Sequence, residues 1–344
     1  MLVIVLSPLS GMAMILESYI NEQGRIFLKS DVCSELNAQI ELLERASSMS
    51  VCGAPIERSS FLGLKKYCEM DITDCLSPRV FNSIGAYSKL NGPNCWNHSL
   101  VQAGLLTYRT HTTDNTMSFF MSSPLCRRLG INESPQFGDI GAIRRRWGIE
   151  HHGFVYLNED LVYTKNNSSI DSRYKLMGLK SMYIFFKIDD EPSHCLNNQM
   201  DKNCSYGVLF FRCTPMKTFL NRSISQGSRL NELLNILLEI EKRISVITIS
   251  GQITFDPILN NGFGLLEKLK DYIENSDIDS KIVLEDQIFI LKSITYRVED
   301  LIVQIEIINK FLKKRDRSGT SYLELKSKLN SVKKIVIENL PGKR

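Results

Sequence analysis

Apolar residues recur at two different spacings along the chain, and the spacings fall in different regions. Near the amino terminus, Leu36, Ile40, Leu42 and Leu43 stand among acidic residues and predict a short amphipathic helix over residues 34–47. Asn91-Gly92-Pro93 then breaks the chain, and Trp96, Leu100, Ala103 and Leu106 return at helical spacing. From Gly138 the pattern alternates, predicting strands over 139–144, 153–157 and 161–164 with Asn158-Glu159-Asp160 as a hairpin turn. Residues 182–188 and 206–213 are two more β-rich runs. Beyond Cys213 the spacing is helical again. One stripe is Leu230, Leu233, Leu237, Ile240, Ile244 and Ile247. A longer one runs from Leu284 through Ile288, Leu291, Val298, Ile302 and Ile305 to Leu312, close to a four-three coiled-coil repeat. After Arg317-Ser318-Gly319-Thr320, the positions Tyr322, Leu325, Leu329, Val332 and Ile335 predict a second arm, so the two pair as an antiparallel helical hairpin. The expected fold class is α+β: a helix packed on an antiparallel sheet over residues 17–215, then a helical region over 225–344.

A length of 344 residues suits two domains, each with its own core. A net charge of +4 is too small to imply a nucleic-acid partner. No apolar run reaches the roughly 18–20 residues that a membrane span needs. Residues 1–16 are uncharged and apolar, with small residues near Gly11-Met12-Ala13, and read as a secretory signal segment. The first positive side chain is Arg25, so the basic leader of such a signal is missing and a buried amino-terminal element is the other reading.

The nine cysteines bear on the compartment. An odd number suits an exported, disulfide-bonded protein with one thiol left for chemistry. Cys68–Cys75 and Cys195–Cys204 are the shortest loops to close. A cytosolic protein with reduced thiols is the alternative. Short Cys-x-x-Cys knuckles for zinc are lacking, and no metal and no cofactor are expected.

Cys95 is the nucleophile candidate, since it opens the helix after Asn91-Gly92-Pro93. Backbone N–H groups there, around Asn94 and Trp96, are placed to hold substrate or an oxyanion. A base is supplied by His152, on a strand that alternates toward Tyr156; its neighbour His151 competes, because adjacent strand residues face opposite sides. A group that orients the imidazole falls on the next strand at Thr164, with Lys165 and Asn166 as the other choices. His98 follows Cys95 by one turn but forms no metal set with His151 and His152, while His111 and His194 lie in polar loops. Arg144-Arg145-Arg146 reads as a solvated strand end.

The stretch from Gly85-Ala86-Tyr87 to Asn94-Cys95-Trp96 resembles the approach to the catalytic cysteine in NlpC-type cell-wall peptidases. Phe137-Gly138-Asp139-Ile140-Gly141-Ala142-Ile143 is similar to that family's Pro-Gly-Asp strand, and His151-His152-Gly153-Phe154-Val155-Tyr156-Leu157 to its histidine strand. The resemblance covers about residues 82–165. It implies a papain-like core, Cys95 as nucleophile, His152 as base, Tyr87 as the active-site tyrosine, and cleavage of an amide in peptidoglycan or a peptide. Trp96-Asn97 stand where the family has Ser-Gly.

The first functional reading is thus an exported cysteine hydrolase of this type. The second is a catalytically degenerate papain-like fold that binds a partner, with the carboxy-terminal helices as the contact module. A cytosolic acyltransferase on the same scaffold is a third.

Overall fold

The computed structural model describes residues 16–47, 52–59, 66–76, 80, 84–86, 88–145, 149–158, 161–188, 191, 193–196, 203–224, 228–252, 256–274, 284–313 and 320–339. Its first strands, β1 (Glu17–Ile20) and β2 (Ile26–Ser30), form a hairpin closed by the Asn21 side chain, which accepts from the Gln23 and Arg25 N–H groups. Helix α1 (Cys33–Ser47) and strands β3 (Ile56–Ser59) and β4 (Lys66–Asp71) complete the amino-terminal unit. Strands β3 and β4 lie after α1 in a stretch whose sequence reads only as polar and cysteine-bearing, and the spacing predicts no element where β1 and β2 form.

The remaining strands are β5 (Cys126–Arg128), β6 (Ile140–Arg145), β7 (Ile149–Tyr156), β8 (Leu161–Lys165), β9 (Tyr174–Gly178) and β10 (Tyr206–Cys213). All pairs are antiparallel, in the order β3-β4-β2-β1-β9-β8-β7-β6-β10-β5. The amino-terminal four strands join the other six where Glu17 lies opposite Met177, with Ser18 Oγ bonded to the Leu176 backbone and the Gly178 N–H donating to the Leu16 carbonyl. The protein is therefore mixed α+β, as the alternating and helical spacings require.

Two helices lie on one face of the six-stranded part: α2 (Cys95–Gln102), against β7 and β8, and α3 (Asp114–Met121). The opposite face is covered by α4 (Leu179–Phe185). Residues 182–188, expected to be β-rich, are helical up to Phe185. Leu179, Met182, Tyr183 and Phe186 recur at helical spacing and bury one face against Phe154, Val162 and Phe210, and this packing outweighs their β propensity. Two short helices follow, α5 (Ser193–Leu196) and α6 (Met216–Ser223).

The carboxy-terminal half holds α7 (Arg229–Ser250), α8 (Asp256–Glu274), α9 (Leu284–Lys313) and α10 (Thr320–Asn339). Helices α9 and α10 pack together, and both also contact other helices of this half. Of the expected four-three stripe, Leu291, Val298 and Ile305 are buried and Ile288 and Ile302 half-buried, and the buried face of α9 also includes Ile294, Leu301 and Ile308, which the stripe did not name. One apolar cluster joins Cys95, Trp96, Leu100, Phe120, Ile140 and Leu209 to Leu233, Leu237, Ile294, Val298 and Leu329. The boundary near residue 220 is thus a change of element type within a continuous core. Inside it, Arg297 on α9 donates to both carboxylate oxygens of Glu241 on α7, at 2.7 and 2.6 Å.

Four disulfides use eight of the nine cysteines: Cys33–Cys68, Cys52–Cys75, Cys126–Cys213 and Cys195–Cys204. The short Cys195–Cys204 loop closes as expected. Cys68 and Cys75 do not pair with each other. Cys68 on extended β4 meets Cys33 at the start of α1, and Cys75 in the next turn meets Cys52. These pairs close loops of 35 and 23 residues, so each removes more unfolded-chain entropy than a local link, on the order of 3–4 kcal/mol. Four disulfides indicate an oxidising, extracellular environment and count against the cytosolic reading. No helix among the described residues is long and apolar enough to cross a membrane. Residues 1–15, which carry most of the expected signal segment, lie outside the described residues; Leu16 is buried.

Gly141 on β6 faces Phe154 on β7, and a Cβ at Gly141 would come within 2.0 Å of the ring. Gly141→Ala is expected to lower stability by about 1–3 kcal/mol through displacement of Phe154. A denaturant midpoint equal to that of the parent protein would contradict this packing.

Candidate functional site around Cys95

Cys95 is the first residue of α2 and the cysteine left outside the disulfides. Asn94 caps the helix: its side-chain oxygen accepts from the Asn97 N–H at 3.0 Å and its Nδ2 donates to the Thr112 carbonyl at 2.6 Å. Both polar atoms of Asn94 are therefore committed to structure, and its role in holding an oxyanion is not available to the side chain. Trp96 is buried against β7. Tyr87, the expected active-site tyrosine, lies outside the described residues.

A helix start favours a thiolate, and the backbone N–H groups of Gly153, Trp96 and Cys95 act in the same direction. Burial outweighs them. The side chain is 7% exposed, and the thiol is pushed up from 9.0 to about 11. At neutral pH the sulfur carries its proton.

The position on β7 that faces α2 is Gly153. A Cβ there would stand 2.9 Å from Ser99 Oγ and 3.0 Å from the Trp96 ring, so glycine is what lets the helix lie this close. Side chains alternate along a strand, which sends His152 and Phe154 to the other face. His152 stacks on Phe186 with ring centroids 4.2 Å apart, and its Nε2 lies 2.9 Å from Thr164 Oγ1. Its Nδ1 is buried without a hydrogen-bond partner. Burial pushes the imidazole down from 6.5 to about 3, so it is neutral.

His151 goes the same way. The β6–β7 register shifts between Ile143 and Arg144, and the His151 ring comes within 5.6 Å of both Phe186 and Tyr206. Thr164 thus sits beside His152 as the sequence pattern placed it, but the pair lies across the sheet from Cys95. The expected contact between Cys95 and His152 is not formed.

Other groups occupy the face that Cys95 shares. Lys165 is fully buried and donates from Nζ to the carbonyls of Asn167 at 2.6 Å and Ser169 at 3.1 Å. Burial lowers it from 10.5 to about 8, with the neighbouring Cys95 pulling the other way. His98 Nε2 lies 3.1 Å from the Tyr163 carbonyl, and its ring packs edge-on against Tyr163 at 4.2 Å and beside Tyr174 at 5.2 Å. Burial pushes His98 down to about 3 as well. The Arg109 guanidinium lies 4.7 Å over the Tyr174 ring. Asn166, the other alternative to Thr164, keeps its side-chain oxygen buried and unpaired.

Sequence patterns give no sign of the brace on this site. Asp300 on α9 accepts from the Thr113 N–H at 2.8 Å and from Thr116 Oγ1 at 3.0 Å, both at the start of α3. One turn on, Gln304 accepts from the His111 N–H at 2.9 Å and donates to the Asn91 carbonyl at 3.0 Å. A Cβ at Gly92 would fall 2.0 Å from Gln304 Oε1. Helix α9 thereby holds both loops that flank the start of α2. Burial raises Asp300 well above the usual carboxylate range, although its hydrogen bonds favour the charged form.

His194, Cys195 and Cys204 stand close together, but the two sulfurs are bonded to each other and supply no thiolate for a metal. No protein family matches the chain, and neither a curated protein nor a solved structure does.

Because Lys165 titrates lower in the folded protein than its ordinary 10.5, the stability linked to it is present above about 10.5 and is lost as pH falls through about 8. The difference in unfolding free energy between the parent protein and Lys165→Met should accordingly shift in favour of the parent between pH 8 and 10. A pH-independent difference would contradict an ammonium held down by burial.

Proposed function

We propose that the chain is a secreted binding protein on a degenerate papain-like core whose cysteine site does not hydrolyse amides. The observation that carries this reading is that β7 presents Gly153, and not a histidine, to Cys95. Thiol hydrolysis needs an imidazole within hydrogen-bond reach to take the thiol proton and return it to the leaving amine. Here both strand histidines are held against Phe186 on the far face. The remaining nearby imidazole, His98, is neutral and has Nε2 on a backbone carbonyl. The thiol itself is protonated at neutral pH. Replacement of Ser-Gly by Trp96-Asn97 after the cysteine agrees with this, since both side chains are buried in the fold.

Support for the papain-like description is the chain order: a cysteine at a helix start, then antiparallel strands against which that helix packs. The first reading, cleavage of peptidoglycan or a peptide by Cys95 and His152, would require β7 to turn over by one residue. That slip would take Phe154 and Tyr156 away from Val162 and Phe210 and turn side chains into the face where α2 leaves room only for Gly153. Export is consistent with the disulfides. In this reading the helical half supplies the contact surface for a partner.

Alkylation of Cys95 by a thiol-directed reagent, resolved by mass across pH 6–10, tests the proposal. The rate should rise about tenfold per pH unit through the whole range and be the same in His152→Ala. A plateau reached by pH 6–7 that disappears in His152→Ala would establish an activated pair and restore the hydrolase.

A further inference from the structure

Asp300 is a buried carboxyl group with no cation bonded to it among the described residues. It is 3% exposed, and its Oδ1 accepts from the Thr113 N–H at 2.8 Å and from Thr116 Oγ1 at 3.0 Å, both neutral donors. Arg297 lies one turn earlier on α9 but donates to Glu241 from Nε and Nη2, at 2.7 and 2.6 Å. The other charged groups around Asp300 do not compensate it. Glu241 on α7 adds a negative field, and Glu299, next to Asp300 on α9, is paired with Lys333 of α10 at 2.7 Å. Asp114 follows Thr113 at the start of α3, and His111 in the same loop is held below its ordinary value by burial, which keeps it neutral.

This carboxyl closes the seam between the helical half and the loops that flank α2. Asp300 holds Thr113, and Gln304 one turn on holds the His111 N–H and the Asn91 carbonyl. The bonded path runs on through Asn94, whose Nδ2 donates to the Thr112 carbonyl, to the cap of α2. The start of α3 and the two donors favour a charged Asp300. Burial and the nearby Glu241 oppose it and prevail, so the carboxyl is held well above its ordinary 3.8. In an opened seam the same group would meet water and return to that ordinary value. A carboxyl that holds its proton more tightly in the closed state stabilises closure at low pH. That contribution is lost as pH rises from 3.8 through the raised value.

We propose that Asp300 is a proton-operated latch: as a neutral acid it seats α9 on the loops at residues 91–92 and 111–113, and release of its proton to solvent loosens that seat. Geometry carries the proposal, because a single buried carboxyl without a bonded cation stands between α9 and the start of α3, beside a second carboxylate. Gln304 does not titrate, so the tie it adds is the same at every pH.

Hydrogen–deuterium exchange of the His111 and Thr113 N–H groups in the full, oxidised chain tests this, between pH 4.5 and 8 and corrected for base-catalysed exchange. In the parent protein the corrected opening should increase with pH, by up to about tenfold per unit until Asp300 ionises in the closed seam. In Asp300→Asn, which keeps an acceptor oxygen and cannot ionise, it should be flat. A flat profile in the parent overturns the latch whatever the variant does. A rise that persists in Asp300→Asn assigns the titration to Glu241, Asp114 or His111 and overturns it too. Carboxyl-carbon NMR of the parent gives a second reading: Asp300 should ionise well above 3.8, and titration at 3.8 would overturn the proposal.

Discussion

Contact between α2 and β7 at Gly153 decides what the Cys95 site is able to do. The helix sits so close to the strand that no side chain fits between them, and the position is occupied by a residue without one. Strand alternation then leaves no choice for the neighbours: His152 and Phe154 belong to the opposite face, where α4 covers them. The same approach buries Cys95 and Trp96 in the main core, and burial is what raises the thiol and removes its nucleophile at neutral pH. One packing decision thus sets the electrostatics of both the cysteine and the histidine.

The helical half holds that arrangement from outside. Asp300 and Gln304 occupy successive turns of α9 and bind the two loops on either side of the Cys95 helix start. Behind them, the Arg297–Glu241 pair fixes α9 to α7, in a setting where losing either partner would strand a buried charge. Because the apolar cluster is continuous across both halves, α9 is a wall of the same core that holds α2. Its far end, at Ile307 and Phe311, also lines a cavity together with Leu90 and Ile170.

Much of this was legible in the residue pattern, for identifiable reasons. Helices α7, α9 and α10 have long stripes whose burial is decided by their own period, and β6, β7, β8 and β10 are short apolar runs of strand length set off by turn residues or polar loops. Strands β1 to β4 were hidden because they are four to six residues long and β3 is exposed throughout. Helix α8 escaped because Asn260-Asn261-Gly262 and Gly264 interrupt its stripe, which tertiary contacts with α7 and α10 sustain. At the site, Thr164 was placed beside His152 by register alone. The face they share was not, because residue identities near a glycine and a bulge do not say which side the helix will choose. Asp300 and Gln304 join loops almost two hundred residues away, a separation at which sequence periodicity carries no information.

The central claim, that His152 is a neutral imidazole isolated from Cys95 by the sheet, is tested most directly by nitrogen-detected NMR of the His152 ring. The ring is expected to stay neutral throughout pH 4.5–8, with protonation only toward pH 3, and its shifts not to change in Cys95→Ser. Titration near pH 6.5 together with a displaced ring signal in Cys95→Ser would contradict it, and would put the imidazole beside the thiol.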